Sequence, residues 1–133
     1  MKIPEKFHRL FETRTYGYLA TVTPKGLIQN HPMLIFREGD KVKISTEKSR
    51  QKYRNLKADP RATLLVMDPE NPYSYIEIRG KVESMEDDIN NAFIDSLCPR
   101  YFGTDRYEKD PPGAKRVTVT IKPEKIFTFP PGA

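Results

Sequence analysis

The sequence predicts a mostly β protein: an antiparallel barrel of six or so strands with three short helices at their junctions. Three observations carry that reading. Short runs of aromatic and β-branched residues recur along the chain, separated by clusters of Pro, Gly and Asp. Helical spacing of apolar residues replaces the period of two in only a few places. The 133 residues are 37% hydrophobic and include seven Tyr and seven Phe, enough for one core and a single domain over residues 1–133.

In chain order, Pro4 sits where a first helical turn begins, and Phe7, Leu10 and Phe11 recur at helical spacing, which predicts a helix over 4–13. Residues 16–22 read as a strand, and Thr23-Pro-Lys-Gly26 as a turn. A second strand is expected over 27–36, with Pro32 at a bulge or an unpaired edge because proline removes a ladder donor. Residues 41–46 alternate polar and apolar, predicting a strand with one buried face. A short helix over 47–58 ends at Asp59-Pro60, and residues 62–67 form a buried strand. Residues 73–83 read as a long strand with a bulge at Gly80. Ser84-Met-Glu-Asp87 has the capping-box pattern, and Ile89, Phe93 and Leu97 predict a helix running to about Pro99. A charged loop covers 100–115, and two strands at 116–121 and 125–129 precede the Pro-Pro-Gly-Ala tail.

Composition removes several function classes. The single cysteine, Cys98, excludes an internal disulfide and a multi-cysteine zinc site, and reads as packing beside Leu97. With His8 and His31 as the only histidines, no metal site is expected. No apolar run approaches the ~20 residues of a membrane span, and the N-terminus lacks a signal-peptide pattern. The expectation is a soluble cytoplasmic protein without a membrane partner. Nucleophile–base, Walker and Rossmann patterns are absent, so the catalytic residues are unknown. The acidic run Glu86-Asp87-Asp88 reads as the favoured charge at a helix start.

The net charge of +5 is concentrated. Residues 41–61 hold eight basic side chains against Glu47 and Asp59, a segment charge of +6, so the other 112 residues sum to −1. One basic stretch on a near-neutral chain suits a compact anion such as phosphate better than a nucleic acid. Tyr53 is the only aromatic within that stretch and reads as core, so no nucleic-acid partner is expected. The stretch opens where a strand ends at Ser45-Thr46 and a helix begins. Strand-end hydroxyls, free helix N–H groups and the side chains of Arg50 and Lys52 together make a phosphate cradle. Both cations are expected to be exposed without ligand.

The segment Lys52-x-x-Asn55-Leu56-x-x-Asp59-Pro60-Arg61, followed by an apolar strand, resembles the pyridoxamine 5′-phosphate oxidase-like split-barrel flavoproteins, and the branch using the deazaflavin coenzyme F420 above all. Leu19-Ala-Thr-Val-x-Pro-x-Gly26 is similar to the first hairpin of that family. Asp68-Pro-Glu-Asn-Pro-Tyr-x-Tyr-Ile-Glu-Ile-Arg-Gly80 is similar to its central strands. Arg100-Tyr-x-Gly103, Pro111-Pro-Gly113 and Arg116-Val-x-Val-x-Ile-x-Pro-x-Lys-Ile126 resemble its C-terminal third. The resemblance runs from about residue 7 to 132 and rests on the order and spacing of these segments.

It implies a six-stranded antiparallel split β-barrel of Greek-key type with short capping α-helices, and a homodimer with a cofactor at each seam. Arg50 and Lys52 match the phosphate-binding basic positions, Asn55 belongs to the same motif, and Ser45 and Thr46 match strand-end ligands. His31, Pro32 and Met33 match positions beside the ring system, and Tyr75 lies on the strand that reaches the other subunit's cofactor. The oxidases proper carry extra basic substrate-binding residues and a longer C-terminal segment, a departure that argues against the vitamin reaction itself. The implied activity is an oxidoreductase moving a hydride between reduced F420 and an unsaturated small molecule. FMN with the same site is the alternative cofactor, and a non-catalytic flavin or deazaflavin carrier the alternative role.

Overall fold

The computed structural model describes residues 1–131, so Gly132 and Ala133 at the end of the tail lie outside the described residues. Its strands are β1 (Gly17–Val22), β2 (Ile28–Met33), β3 (Phe36–Glu38), β4 (Lys41–Glu47), β5 (Arg61–Asp68), β6 (Asn71–Asp87) and β7 (Arg116–Phe129). All pair antiparallel in one sheet, in the order β2-β1-β5-β6-β7-β4-β3. The two edge strands are consecutive in sequence, with only Leu34 and Ile35 between them. Flat, such a sheet would hold its edges about 29 Å apart at ~4.8 Å per gap. The Met33–Phe36 link reaches at most about 11 Å. The sheet therefore curls until its edges meet at one corner, which makes a barrel split along that seam.

The mostly β antiparallel fold stands as expected, with two corrections to its strands. The count is seven rather than the six of the implied barrel, and the strand expected over 27–36 breaks at Leu34–Ile35 into β2 and β3. At the C-terminal end, the two expected strands are one continuous β7. Pro123 interrupts the sequence pattern but not the strand, because it lies opposite Gly80 at a register shift between Arg79 and Gly80. There Glu124 is passed without a partner, which exchanges the faces of β7. Val117, Val119 and Ile121 are buried before the bulge, whereas Phe127 and Phe129 are exposed after it. Gly80 is required at this crossing: a Cβ there would stand 2.3 Å from the Lys122 carbonyl oxygen. Pro32 lies on edge strand β2, paired with Tyr18 of β1, where a missing donor faces no second neighbour.

The core follows the alternation of the strands. Leu19, Val42, Ile44, Leu64, Val66, Ile76 and Ile78 meet inside the barrel. On β4, burial extends past the alternating pattern to Ser45, Thr46 and Glu47 together, against the expectation of one buried face. Residues 5–11 form a 3₁₀ turn (Glu5–Phe11) rather than an α-helix, with Phe7, Leu10 and Phe11 capping the core. Helix α1 is Gln51–Ala58, starting later than 47 because β4 extends to Glu47.

Helix α2 is Ala92–Phe102. Its expected capping box is corrected: Ser84 to Asp87 belong to β6, and Ile89 is exposed in a short turn before the helix. The acid that meets the helix start is Asp88, whose two carboxylate oxygens accept the N–H groups of Phe93 and Ile94 at 2.8 and 3.0 Å. The helix continues past Pro99, and its last turn closes the split. The Tyr101 hydroxyl donates to the Thr15 carbonyl at 2.6 Å and accepts the Ile35 N–H at 3.1 Å. Arg100 donates to the carbonyls of Phe11 and Ile35.

Tyr101 is 1% exposed, so its hydroxyl serves groups that water cannot reach. Tyr101→Phe should lower stability by about 1–3 kcal/mol by stranding the Ile35 N–H and the Thr15 carbonyl. Chemical denaturation of the two proteins reads this directly, and equal midpoints would contradict it.

Candidate functional site

A cavity of about 220 Å³ opens at the split corner. The corner itself supplies Pro32, Met33 and Leu34; the end of β4 supplies Ser45, Thr46 and Glu47; and the start of α1 supplies Arg50 and Lys52. The opposite wall comes from Phe102 at the end of α2, from Tyr107 and Lys109 beyond it, and from Arg116 at the head of β7. The site thus has a cationic end and an aromatic end, the latter completed by Tyr16.

The cationic end follows from the local chain path. Glu47 ends β4 and turns the chain: its backbone carbonyl accepts the Arg50 N–H at 2.9 Å, and its carboxylate accepts the N–H and hydroxyl of Ser49. The Ser49 hydroxyl, against the opposing effect of burial, holds the Glu47 carboxyl below the usual range, so it is ionised. Arg50 stands at the N-cap of α1 without a side-chain cap, leaving N–H groups of the first turn free. The Arg50 side chain is exposed and makes no hydrogen bond or ion pair among the described residues.

Lys52 departs from the expected exposure. It is half-buried, and its Nζ rests 3.3 Å from Met33 Sδ. Burial, with the charges of Arg50 and Arg116, lowers its pKa below the ordinary lysine value. The Thr46 Oγ1 is buried and, among the described residues, has no hydrogen-bond partner. His31 Nδ1 is likewise buried and unpartnered, and burial with Lys52 and Arg50 pushes its pKa down, leaving the ring neutral at pH 7. Two cations without an ion pair among the described residues, an unpartnered hydroxyl and free helix N–H groups are the donor set a phosphate oxygen cluster satisfies. The residues present therefore fit the phosphate of a flavin-type cofactor.

The structure brings Ser45, Thr46, Arg50, Lys52, Pro32 and Met33 onto this one cavity, with His31 next to it on β2. Asn55 and Tyr75 stand elsewhere. Asn55 is fully buried, and its Nδ2 donates to Thr21 Oγ1 at 3.0 Å and Gln29 Oε1 at 2.8 Å, while its Oδ1 accepts from Gln51 at 2.8 Å. It therefore contributes by fastening α1 to the β1–β2 hairpin, which aims the helix start at the cavity. Tyr75 stacks on Phe129 on the outside of the sheet, with ring centroids 5.8 Å apart.

Sequence reasoning missed Tyr16, Glu47, Phe102, Tyr107, Lys109 and Arg116. Arg116 stands beside Lys115 at the head of an alternating apolar strand, a pattern that also describes an ordinary strand start. Tyr107 and Lys109 come from the charged loop expected over 100–115, whose lack of periodicity gives no signal for which of its side chains face the cavity, while Tyr16, Glu47 and Phe102 stand at or beside the ends of regular elements.

Outside the barrel lies a second feature. Register places Pro32 and Tyr18, Tyr18 and Leu65, Met67 and Tyr75, and Tyr75 and Phe129 as directly opposed pairs across five strands. With Phe127 beside them, they form an apolar outer face in which Phe127 and Phe129 remain 45% and 44% exposed. Among the described residues no helix is long and apolar enough to cross a membrane, and no group of three His, Cys, Asp or Glu is placed to hold a metal.

Residues 3–129 match the family model described as pyridoxamine 5′-phosphate oxidase. Among solved structures, an F420 reductase is 39% identical, with a TM-score of 0.81, over 93% of this chain and 98% of that one. General stress protein 26 from Bacillus anthracis is 23% identical with a TM-score of 0.71, over 96% and 93% of the two chains. A heme storage protein from Vibrio cholerae is 13% identical with a TM-score of 0.67, over 99% and 98%. The last two likenesses speak for the fold alone. Since the family model spans nearly all of the chain and the reductase shares its sequence over the same length, the chain belongs to the pyridoxamine 5′-phosphate oxidase family.

Proposed function

We propose that this chain binds coenzyme F420 and is an oxidoreductase that passes a hydride between the reduced cofactor and an unsaturated small molecule. The observation that carries this reading is the meeting of Arg50, Lys52 and the unpartnered Thr46 hydroxyl at the start of α1. The 39% identity to an F420 reductase supports the choice of cofactor. FMN is the alternative, in keeping with membership of the pyridoxamine 5′-phosphate oxidase family, because the same clamp accepts the phosphate of either.

The cofactor supplies the hydride chemistry when bound, which accounts for a cavity without a nucleophile–base pair. The chain's residues then bind and orient. Arg50 offers a two-pronged fork to phosphate oxygens, Lys52 a point charge, and Thr46 a hydroxyl donor. His31, Pro32 and Met33 would flank the ring system. His31, neutral at pH 7, is a poor proton donor there, so no general acid is assigned. The apolar outer face centred on Tyr75, Phe127 and Phe129 supports a homodimer that brings Tyr75 toward the partner's cofactor.

Spectroscopic titration with F420 and with FMN tests the reading. F420 should bind, and Arg50→Ala and Lys52→Ala should each weaken binding by about 1–3 kcal/mol. Arg50→Ala should leave the melting temperature unchanged, since that side chain supports nothing in the fold. Binding of FMN with no affinity for F420 would overturn the first choice of cofactor, and unaltered binding in both variants would overturn the phosphate assignment.

Affinity should also fall as pH rises. An ammonium whose pKa is already lowered loses its proton, and with it the attraction for phosphate, earlier than an ordinary lysine. A bound anion opposes that loss, so affinity is full below the lowered pKa and declines through it. Titrations from neutral to alkaline pH should show this slope in the native chain and not in Lys52→Arg, which stays charged. For the dimer, Phe127→Glu with Phe129→Glu should yield monomers in sedimentation equilibrium; a native chain that is already monomeric would remove the proposal.

A further inference from the structure

Arg116 is 8% exposed, and its guanidinium is engaged on every side. Nε and Nη2 donate to the two carboxylate oxygens of Asp110 at 2.9 and 2.7 Å. Nη1 donates to Ser45 Oγ at 3.4 Å, and the flat face lies 4.5 Å from the centre of the Tyr107 ring. Ser45 belongs to the cationic end of the cavity and Tyr107 to the aromatic end. One rigid planar group therefore spans the two walls.

The segment that carries the aromatic wall needs such a tie. Residues 103–115 contain no helix or strand, so no ladder holds them. Backbone bonds fasten the two ends of the segment, Gly103 N–H to the Pro99 carbonyl at 3.2 Å and Lys48 N–H to the Lys115 carbonyl at 3.0 Å, and between them stand the Tyr107 N–H to Asp95 Oδ1 at 2.9 Å and the Tyr107 ring against Phe102 at 6.1 Å. Lys109 lies between Tyr107 and Asp110, its Nζ 4.6 Å from the Phe102 ring centre, and makes no ion pair among the described residues. Wherever Asp110 is held, Tyr107 and Lys109 are held with it. A lysine at 116 could keep the charge but not the fork and the flat face together.

We propose that Arg116 is a positioning residue of the cofactor site: it pins Tyr107 and Lys109 as a fixed wall while orienting Ser45 across the cavity. The nature of what the wall faces rests on the cofactor reading above; the tie itself does not. Binding energy is lost when a wall must be ordered by the ligand instead of standing ready.

Two measurements on the full-length protein test this. First, trypsin is applied to ligand-free chains, because Arg106 and Lys109 are exposed within the tied segment. Arg116→Lys should be cut after those residues about fivefold faster than the native chain or more, as a loosened segment opens more often. Second, F420 and FMN are titrated into native protein, Arg116→Lys, Tyr107→Ala and the double variant. Each single change should weaken binding of the cofactor that the native chain takes by roughly tenfold. The double variant should lose no more than the worse single one, since both changes act through the same wall.

Unchanged cleavage of Arg116→Lys would overturn the tie. Faster cleavage with undiminished affinity, or fully additive losses in the double variant, would overturn the positioning role while leaving the cofactor reading intact. A native chain that takes up neither cofactor would overturn that reading, and the positioning role with it.

Discussion

Two residues, Leu34 and Ile35, join strands that lie at opposite edges of a seven-stranded sheet, and that short link is the constraint on which the other features depend. It forces the sheet to curl. It also leaves Ile35 at a corner where neither edge supplies ladder partners, so its backbone groups must be satisfied from elsewhere. Arg100 and Tyr101 at the end of α2 meet that need, and by reaching Thr15 and Phe11 as well they tie the N-terminal turn to the seam. The cavity lies where it does because a seam closed by side chains leaves more room than one closed by a ladder.

A bulge within the curled sheet explains the two surfaces of the barrel. The bulge at Glu124 reverses the facing of β7, so the strand fills the core with Val117, Val119 and Ile121 and then turns Phe127 and Phe129 outward. Gly80 allows β6 to pass close to the Lys122 carbonyl at that crossing. Without the reversal, the aromatic pair would compete with Ile126 and Thr128 for the interior, and the outer apolar face would not exist.

At the cavity, electrostatics and anchoring are divided among different residues. Arg50 and Lys52 bring charge and make no ion pair among the described residues, while Asn55, buried and hydrogen-bonded, fastens their helix to β1 and β2. On the other wall, Asp110 offsets the buried charge of Arg116, which can then act as a brace. Burial above all, and then the charges of Arg50 and Arg116, lowers the Lys52 pKa.

Much of this was legible in the residues alone. Alternation placed β4 and both halves of β7, because a half-buried strand must repeat every two residues, and aromatic and β-branched content marked β1. The change of period at the basic stretch marked α1, and the charge concentrated there pointed to a phosphate-sized anion before any geometry was known. The capping box before α2 misled, because the same four residues also continue β6, and pairing with β7 outweighed the cap. What the tertiary structure alone decided is which distant residues meet. That Arg116 braces Ser45 against Tyr107, that Thr46 is left without a partner, and that Lys52 is half-buried against Met33 all follow from the closure of the barrel. Local sequence sets the period and charge of a segment, but closure sets its neighbours, and neighbours decide whether a polar group is an anchor, a brace or a free donor.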